Sequence, residues 1–512
     1  MSNSKVIFKE YDSNQLMLLP PNLSDIIPSD HPVRVINHVI DRIDLALISR
    51  NYKGGGTSSY HPRMLLKVLV YGYVNNVYSS RKLESMCKEN IHMMWLSAMN
   101  TPDHNTINRF RGDKLKGVLK EVFTQVVLLL SESGHLDLQK AYTDGTKIEA
   151  NANKYTFVWG NSIKTNKEKM VKQLEELWEY SQKVAEQEST ELSVDTTKLT
   201  AEMLEKTLEK IETNLSTTST SQVDKKKKQK LTYAKKNWPS KLREYKEKES
   251  ILNDRNSYSK TDTDATFMRM KEDHMQNGQL KAAYNLQIST NDQYILHYSI
   301  HQKPTDTTTL IPHLESFKEQ YKQLPKVLTA DAGYGSEENY EYLEKQEIEA
   351  YVKYNHFHKE QRESKKIPQS LQSSQNLHYN KEKDEYTCPM GQKMKNIGSK
   401  KNITKTGYEQ TYSRYQAQNC QGCPLRSSCH KSKRDRIVEV NHRLNYLKIN
   451  AKQNLLSEEG IKHRKQRPAD VEAVFGNLKQ NMGIKRFSLR GLEKVEIEMG
   501  LAAIAHNLKK VA

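Results

Sequence analysis

Three carboxylates stand in settings that core packing does not explain. In the stretch AYTDGTKIEANAN, residues 141–153, a mostly non-charged run from Leu136 to Thr143 delivers Asp144 onto Gly145, which is expected to end the strand. An unpaired buried charge is costly, so this acid is a turn former or a ligand, and Asp-Gly by itself reads as a turn. The stretch KVLTADAGYG, residues 326–335, repeats the design: a short apolar strand, Asp331, glycines, then Ser336 as a helix cap. Near the end, RPADVEAVFGNLK (467–479) reads as a helix with Pro468 in its first turn. Val471, Phe475, Leu478 and Met482 form its apolar stripe, and Glu472 and Lys479 share a neighbouring one. Two strand-borne Asp and one helix-borne Glu offer hard oxygen ligands from separate elements. That donor set suits a two-metal phosphoryl-transfer site built on Mg²⁺.

These stretches resemble the DDE transposases of bacterial insertion sequences. The matching residues are Asp144 in YTDGTKIEANANKYTF, Asp331 in TADAGYG, and Glu472 with Lys479 in RPADVEAVFGNLKQN; the likeness runs from about His61 to the end. The resemblance implies an α/β fold with an RNase H-like mixed sheet flanked by helices. It implies two Mg²⁺ (or Mn²⁺) ions held by Asp144, Asp331 and Glu472, with Lys479 on a phosphate near the cut. The implied reaction is DNA strand cleavage and transfer at the ends of an insertion sequence, without a covalent intermediate. The implied partners are double-stranded DNA, as terminal inverted repeats and target, and a second copy or more of the chain in the DNA complex. Relatives often carry an arginine four positions before the glutamate; here that position is Pro468, so Arg467 is expected to make the DNA contact. Glu149 is a rival ligand, but five residues beyond Asp144 it faces the other side of a regular strand. Two competing readings stay open: a nuclease of the same fold that cuts without joining, and a transposase-derived repressor with vestigial acids.

The composition agrees with a polyanionic partner. Eighty Lys and Arg against 62 Asp and Glu give a formal charge of +18. No run approaches the ~18 apolar residues of a membrane span, and the opening MSNSKVIFKEYDSNQ lacks the apolar region of a signal peptide. The expectation is a cytoplasmic, nucleoid-associated bacterial protein with no membrane partner. Five cysteines in a long intracellular chain argue against a disulfide framework.

The acids are 187 and then 141 residues apart, long for a minimal core, which implies two insertions. The expected organisation is a helical DNA-binding domain (1–130), then a core in three pieces (131–160, 258–356, 456–512). A helical insertion (161–257) and a Cys-rich insertion (357–455) interrupt that core. In the first domain, Asp30-His31-Pro32 starts a helix with Ile36, Val39, Ile40 and Ile43 inward, Gly54–Gly56 is a joint, and His61-Pro62 starts another helix. Short helices at 81–89 and 91–98 and a turn at 100–103 precede a polar-basic helix, 104–111. This layout is that of a helix-turn-helix reader, or of a bundle with a solvated face. Ile107 and Phe110 would face inward, with Asn105, Asn108, Arg109 and Arg111 outward for base edges.

Apolar seams at Met170, Leu174, Leu177, Trp178 and at Leu204, Leu208, Ile211, Leu215 predict a helical hairpin. A Ser/Thr linker at 216–221 and a basic loop, Lys225–Lys228, accompany it. Asp262 and Asp264 read as loop caps, 280–289 and 293–301 as a hairpin around Asn291-Asp292, and Asp306 as the cap of a helix at 310–321. A strand at 348–354 and a closing helix at 493–508 complete the core. In the second insertion a loop is expected near 370–375. Cys388, Cys420-Gln-Gly-Cys423 and Cys429-His430 put four of the five cysteines within 42 residues. They hold a structural zinc, with His430 able to replace Cys429, or are free thiols of a degenerate ribbon. Cys87 reads as ordinary core.

Overall fold

The strand that carries Asp144 is the axis of the larger of two units. A computed structural model describes residues 22–52, 59–185, 199–216, 224–270, 278–363 and 377–512. The expected joint at 54–56, most of the linker at 216–221 and the loop at 370–375 lie outside the described residues. Residues 1–130 with 500–512 form one unit and residues 131–499 the other.

The larger unit has a mixed α/β architecture. Its main sheet contains β1 (Lys140–Glu149), β2 (Thr266–Arg269), β3 (Leu280–Asn291), β4 (Tyr294–His301), β5 (Val327–Ala330) and β6 (Glu349–Val352). β1 is central, antiparallel to β3 and parallel to β5; β6 continues parallel beyond β5, and β4 and β2 pair antiparallel with β3. The β3–β4 turn is tight because Asp292 and Gln293 both take positive φ, 47° and 62°, the geometry that matches strand twist in a two-residue hairpin. In the parallel pair, Thr143 lies opposite Ala330. Asp144 and Asp331 are therefore the next residues on adjacent strands.

β1 does not end at Gly145, contrary to expectation. Gly145 pairs with Gln287 and the strand continues to Glu149. The glycine serves close approach instead: a Cβ there would run into Gln287 Nε2 and lie 2.7 Å from Asp306 Oδ1.

The helix carrying Glu472 also begins earlier than its proline suggests. Ser457 caps the run, its Oγ accepting from Gly460 N at 3.0 Å. An α-helix, Glu458–Arg467, passes directly into a π-helical turn, Pro468–Glu472, then Ala473–Gly476 and a second π turn, Asn477–Asn481. Pro468 thus sits inside a continuous helical run, where its missing N–H is accommodated by the wider turn. Val471, Leu478 and Met482 are almost fully buried beneath it, as the apolar stripe requires.

The segment expected to be a helical-hairpin insertion forms three helices among its described residues: Gly160–Val184, Ala201–Ser216 and Lys225–Leu252. Leu174, Leu177, Leu204, Leu208, Ile211, Trp238 and Leu242 form their common core. Lys225–Lys228 is consequently the first turn of a helix and not a loop. The second segment, expected to be a Cys-rich insertion, forms among its described residues a five-stranded antiparallel sheet around Leu377, Tyr386, Met394, Tyr415 and Val438, and so has a core besides its cysteines.

The smaller unit is helical among its described residues. His31, not Asp30, caps the first helix, with Nδ1 accepting from Val33 N at 3.1 Å; Ile36, Val39, Ile40 and Ile43 are buried as the pattern demands. No helix among the described residues is long and apolar enough to cross a membrane.

The loop after Asp331 offers a direct check. A Cβ at Gly335 would meet the backbone of β6's end, 2.5 Å from Lys353 O and 2.9 Å from Tyr354 Cα, whereas one at Gly333 would make only ordinary contacts of 3.5 Å or more. Gly335→Ala should therefore destabilise by about 1–3 kcal/mol and Gly333→Ala by less than about 0.5 kcal/mol. Paired thermal or urea melts check this; equal melting for the two variants would contradict the described loop.

Candidate active site

One guanidinium gathers the three acids. Arg467 Nη2 lies 2.9 Å from Asp144 Oδ2 and 3.9 Å from Asp331 Oδ2, and Nη1 lies 3.1 Å from Glu472 Oε1. The Arg467 side chain is 5% exposed and that of Asp144 10%, while Asp331 and Glu472 are 49% and 54% exposed. The cluster is closed below and open above. Asp144 is fixed further by accepting from Gly145 N at 2.8 Å.

Arg467 was expected to reach DNA and instead turns inward, because of the π turn that follows it. Residues five apart on an α-helix differ by about 140° in direction, but a π turn hydrogen-bonds i to i+5 and stacks them on one side. Arg467 and Glu472, separated by Pro468–Val471, therefore face the same acids.

Two anchors hold this run against the sheet. Asp470, fully buried, accepts from Thr290 Oγ1 at 2.5 Å and Gln293 N at 3.2 Å. Burial pushes its carboxyl above the usual range, and the two hydrogen bonds oppose that shift. One turn before Arg467, His463 accepts or donates at Tyr142 Oη (3.0 Å from Nδ1) and stacks on Tyr351 with ring centroids 4.8 Å apart. Burial holds the His463 imidazole below its ordinary pKa.

Several neighbours were not legible as site residues. Lys353 Nζ stands 3.9 Å from Asp331 Oδ1; burial lowers its pKa, with Asp331 pulling the other way. Asp306, expected to be a helix cap, caps nothing with its side chain. Its Oδ1 accepts from Asn285 Nδ2 at 2.9 Å and Gln287 Nε2 at 3.0 Å, beside Gly145, while Thr309 N bonds its backbone oxygen. Tyr334 donates to Gln287 Oε1. Burial, reinforced by Asp144, Asp306 and Asp331, raises the phenol's pKa well above its ordinary value. Lys479 is 9% exposed on the second π turn. Glu149 pairs with Lys281 at 3.0 Å, apart from the Arg467 cluster.

Three carboxylates against the Arg467 guanidinium and the Lys353 ammonium leave a formal excess of one negative charge. Among the described residues, no three His, Cys, Asp or Glu side chains stand close enough to hold a metal ion as they are. The acids are instead spaced around the arginine, which acts as a stand-in cation for them. Their chemistry, hard oxygens converging on one positive group, is what Mg²⁺ or Mn²⁺ takes.

The four cysteines between 388 and 429 share a cavity, though not at metal-ligand spacing. Cys388, Cys420, Cys423, Cys429 and His430 line one cavity of about 20 Å³, enough for a single water-sized occupant. Arg436 donates to Cys429 Sγ from Nη1 at 3.0 Å and to Cys420 Sγ from its backbone N at 3.4 Å. Both shielded ring nitrogens of His430 lack a hydrogen-bond partner among the described residues. Asp262 and Asp264 are structural: Asp262 accepts from Tyr284 Oη at 2.9 Å, and Asp264 accepts from Leu492 N at 2.9 Å at the start of the last helix.

In the smaller unit, Asp103 caps the polar-basic helix by accepting from Thr106 N at 2.8 Å. Ile107 and Phe110 are buried, and Asn105, Asn108 and Arg109 are exposed. Arg111 is not outward. The π turn Phe110–Lys114 rotates it inward, where it donates to Tyr78 O at 2.7 Å and Asn108 Oδ1 at 3.0 Å.

No curated protein is similar enough to this chain to count as a relative. Residues 387–512, which contain Glu472 and Lys479, match the family described as Transposase DDE domain. Residues 21–113, which contain the polar-basic helix, match the family described as Transposase domain (DUF772). The two transposase matches, in separate parts of one chain, together indicate an insertion-sequence DDE transposase; Glu472 and Lys479 lie within them, and Asp144 and Asp331 lie outside both.

Proposed function

We propose that the chain cleaves DNA and transfers strands at the ends of its insertion sequence, with Asp144, Asp331 and Glu472 as the metal-holding acids. The observation that carries this reading is the convergence of the three acids on the Arg467 guanidinium, although they come from segments far apart in sequence. The order of the main sheet, antiparallel β4, β3 and β1 followed by parallel β5 and β6, supports an RNase H-like core. Domain limits near 130, 160, 257, 356 and 455 follow from that reading.

The residues divide the work by position and charge. Asp144, Asp331 and Glu472 would hold divalent cations, two of which would activate water or a DNA 3′ hydroxyl and stabilise the leaving oxygen. Arg467 keeps the carboxylates gathered before those cations arrive. Lys353 beside Asp331, and Lys479 on the Glu472 run, supply positive charge for a scissile phosphate, since phosphoryl transfer needs positioning and charge neutralisation more than a protein nucleophile. Asn105, Asn108 and Arg109 present base-reading groups for the terminal repeats, with a homodimer or larger assembly on the DNA. Arg111 takes no part in this, being an internal brace.

The cysteine cavity is proposed as a structural zinc site. Cys388, Cys420 and Cys423 supply three thiolates and Cys429 the fourth ligand, with His430 as its alternative. The grounds are the thiols' common cavity and the orphaned His430 nitrogens.

Asp144→Asn, Asp331→Asn and Glu472→Gln should each abolish Mg²⁺- or Mn²⁺-dependent nicking while DNA binding survives; normal turnover in one variant removes that residue from the site. Joining of a precut 3′ end by the wild type separates the proposed activity from that of a nuclease. Arg467→Gln should lose stability without divalent cations, by up to about 3 kcal/mol, because Asp144 is left buried without its partner. Millimolar Mg²⁺ should then raise its melting temperature more than it raises the wild type's. Equal Mg²⁺ shifts would mean that Arg467 and the cation do not share a position. Elemental analysis of protein purified without added metal should find about one zinc per chain. The Cys420→Ser/Cys423→Ser variant should find none, and unchanged zinc in it would reject the assignment.

A further inference from the structure

The strongest unexplained charge in the larger unit lies on the third helix of the first insertion. Between Lys225 and Arg243 it carries nine basic side chains and no acid; from Glu244 to Glu249 the signs are mixed. The asymmetry is not a bundle requirement. Leu231, Ala234, Trp238 and Leu242 face the core. Lys225, Lys226, Lys228, Lys235, Lys236 and Arg243 are exposed, and so is Tyr233 at 51%.

Neighbouring acids neutralise only part of this charge. Lys230 pairs with Glu176 at 3.2 Å, Arg243 with Glu205 at 2.8 Å, and Lys235 with Glu212. Lys225, Lys226, Lys228 and Lys236 make no ion pair among the described residues. Three of these four stand in the first turn of the helix, where the macrodipole disfavours cations and adjacent like charges repel. That placement works against the helix, so it is not there for stability. Tyr233 adds an exposed ring on the same face, with Lys241 donating to its hydroxyl at 2.9 Å and lying over the ring at 5.3 Å.

We infer that this face is a second DNA contact, separate from the catalytic acids and from the polar-basic helix, that grips the phosphate backbone of a duplex without reading sequence. The inference rests on the transposase reading for its partner, and on this helix alone for its place. The strip's 19 residues span about 28 Å of helix, the length of about eight base pairs. A duplex carries roughly one charge per 1.7 Å, so backbone phosphates are dense enough to meet each free lysine. Among the described residues, none of the basic side chains of this face pairs with Asp144, Asp331 or Glu472, so the face adds affinity along the DNA without altering the acids.

The test uses the full chain with Lys225→Gln, Lys226→Gln, Lys228→Gln and Lys236→Gln combined, its melting compared with the wild type's. Anisotropy isotherms on a random-sequence duplex, across a range of salt, give the slope of log K against log salt for each. The slope should fall by about 3–4, close to 0.9 for each lost phosphate contact, while nicking at saturating DNA persists. Unchanged slope and affinity in a folded variant would overturn the inference and leave the face merely solvated. A slope that falls on single-stranded nucleic acid but not on the duplex would overturn it too. Failure of the wild type itself to bind any DNA would instead strike the transposase reading.

Discussion

The larger unit depends on a single cation held among three anions. Asp144 is buried, and an ionised carboxylate there survives only with a partner. Arg467 is that partner, yet it also reaches Asp331 and Glu472, so each geometric feature nearby serves to keep one guanidinium within range of three oxygens. Parallel pairing of β1 with β5 sets the two aspartates side by side. The π turn brings arginine and glutamate onto one side of their helix. Asp470 with Thr290, and His463 between Tyr142 and Tyr351, fix that helix over the strands. Negative charge remains in excess there, and on the proposed function it would receive divalent cations.

The insertions leave this arrangement intact because each is closed at its base. Phe157–Trp159 pairs antiparallel with Ser257–Ser259, so the three-helix insertion leaves and returns at adjacent strands. The second insertion is fastened to the Glu337–Lys345 helix. Glu337 accepts from Gln410 at 3.0 Å and Asn441 at 2.6 Å, and Glu341 accepts from Tyr408 at 2.8 Å and Arg443 at 3.1 Å. Lengthening a connection costs little once its ends are fixed. Separations of 187 and 141 residues between the acids are therefore compatible with one compact cluster.

What the sequence made legible was local. Alternation and periodicity located β3, β4 and the helices at 310–321 and 492–511, and the apolar runs before Asp144 and Asp331 located β1 and β5. What it hid depended on partners distant in the chain. Gly145 reads as a strand end because nothing local tells that Gln287 and Asp306 crowd its Cβ position. Pro468 reads as a helix start because the π turn that absorbs it has no sequence mark. Arg111 and Arg467 both look outward on an α-helical wheel, and both are turned inward by π turns. Lys353 carried no local signal and Asp306 only that of a helix cap, since their contacts come from β6 ending beside Asp331 and from Asn285 and Gln287 on β3.

The central claim is that the three acids share one metal centre. Fe²⁺ in place of Mg²⁺, with ascorbate and peroxide, generates hydroxyl radicals that cut the backbone next to the bound ion. Mapping the fragments of the wild-type chain by mass spectrometry should give cuts clustered near residues 144, 331 and 472 together, suppressed by excess Mg²⁺. Cuts confined to one of these segments, or scattered and insensitive to Mg²⁺, would contradict a shared centre.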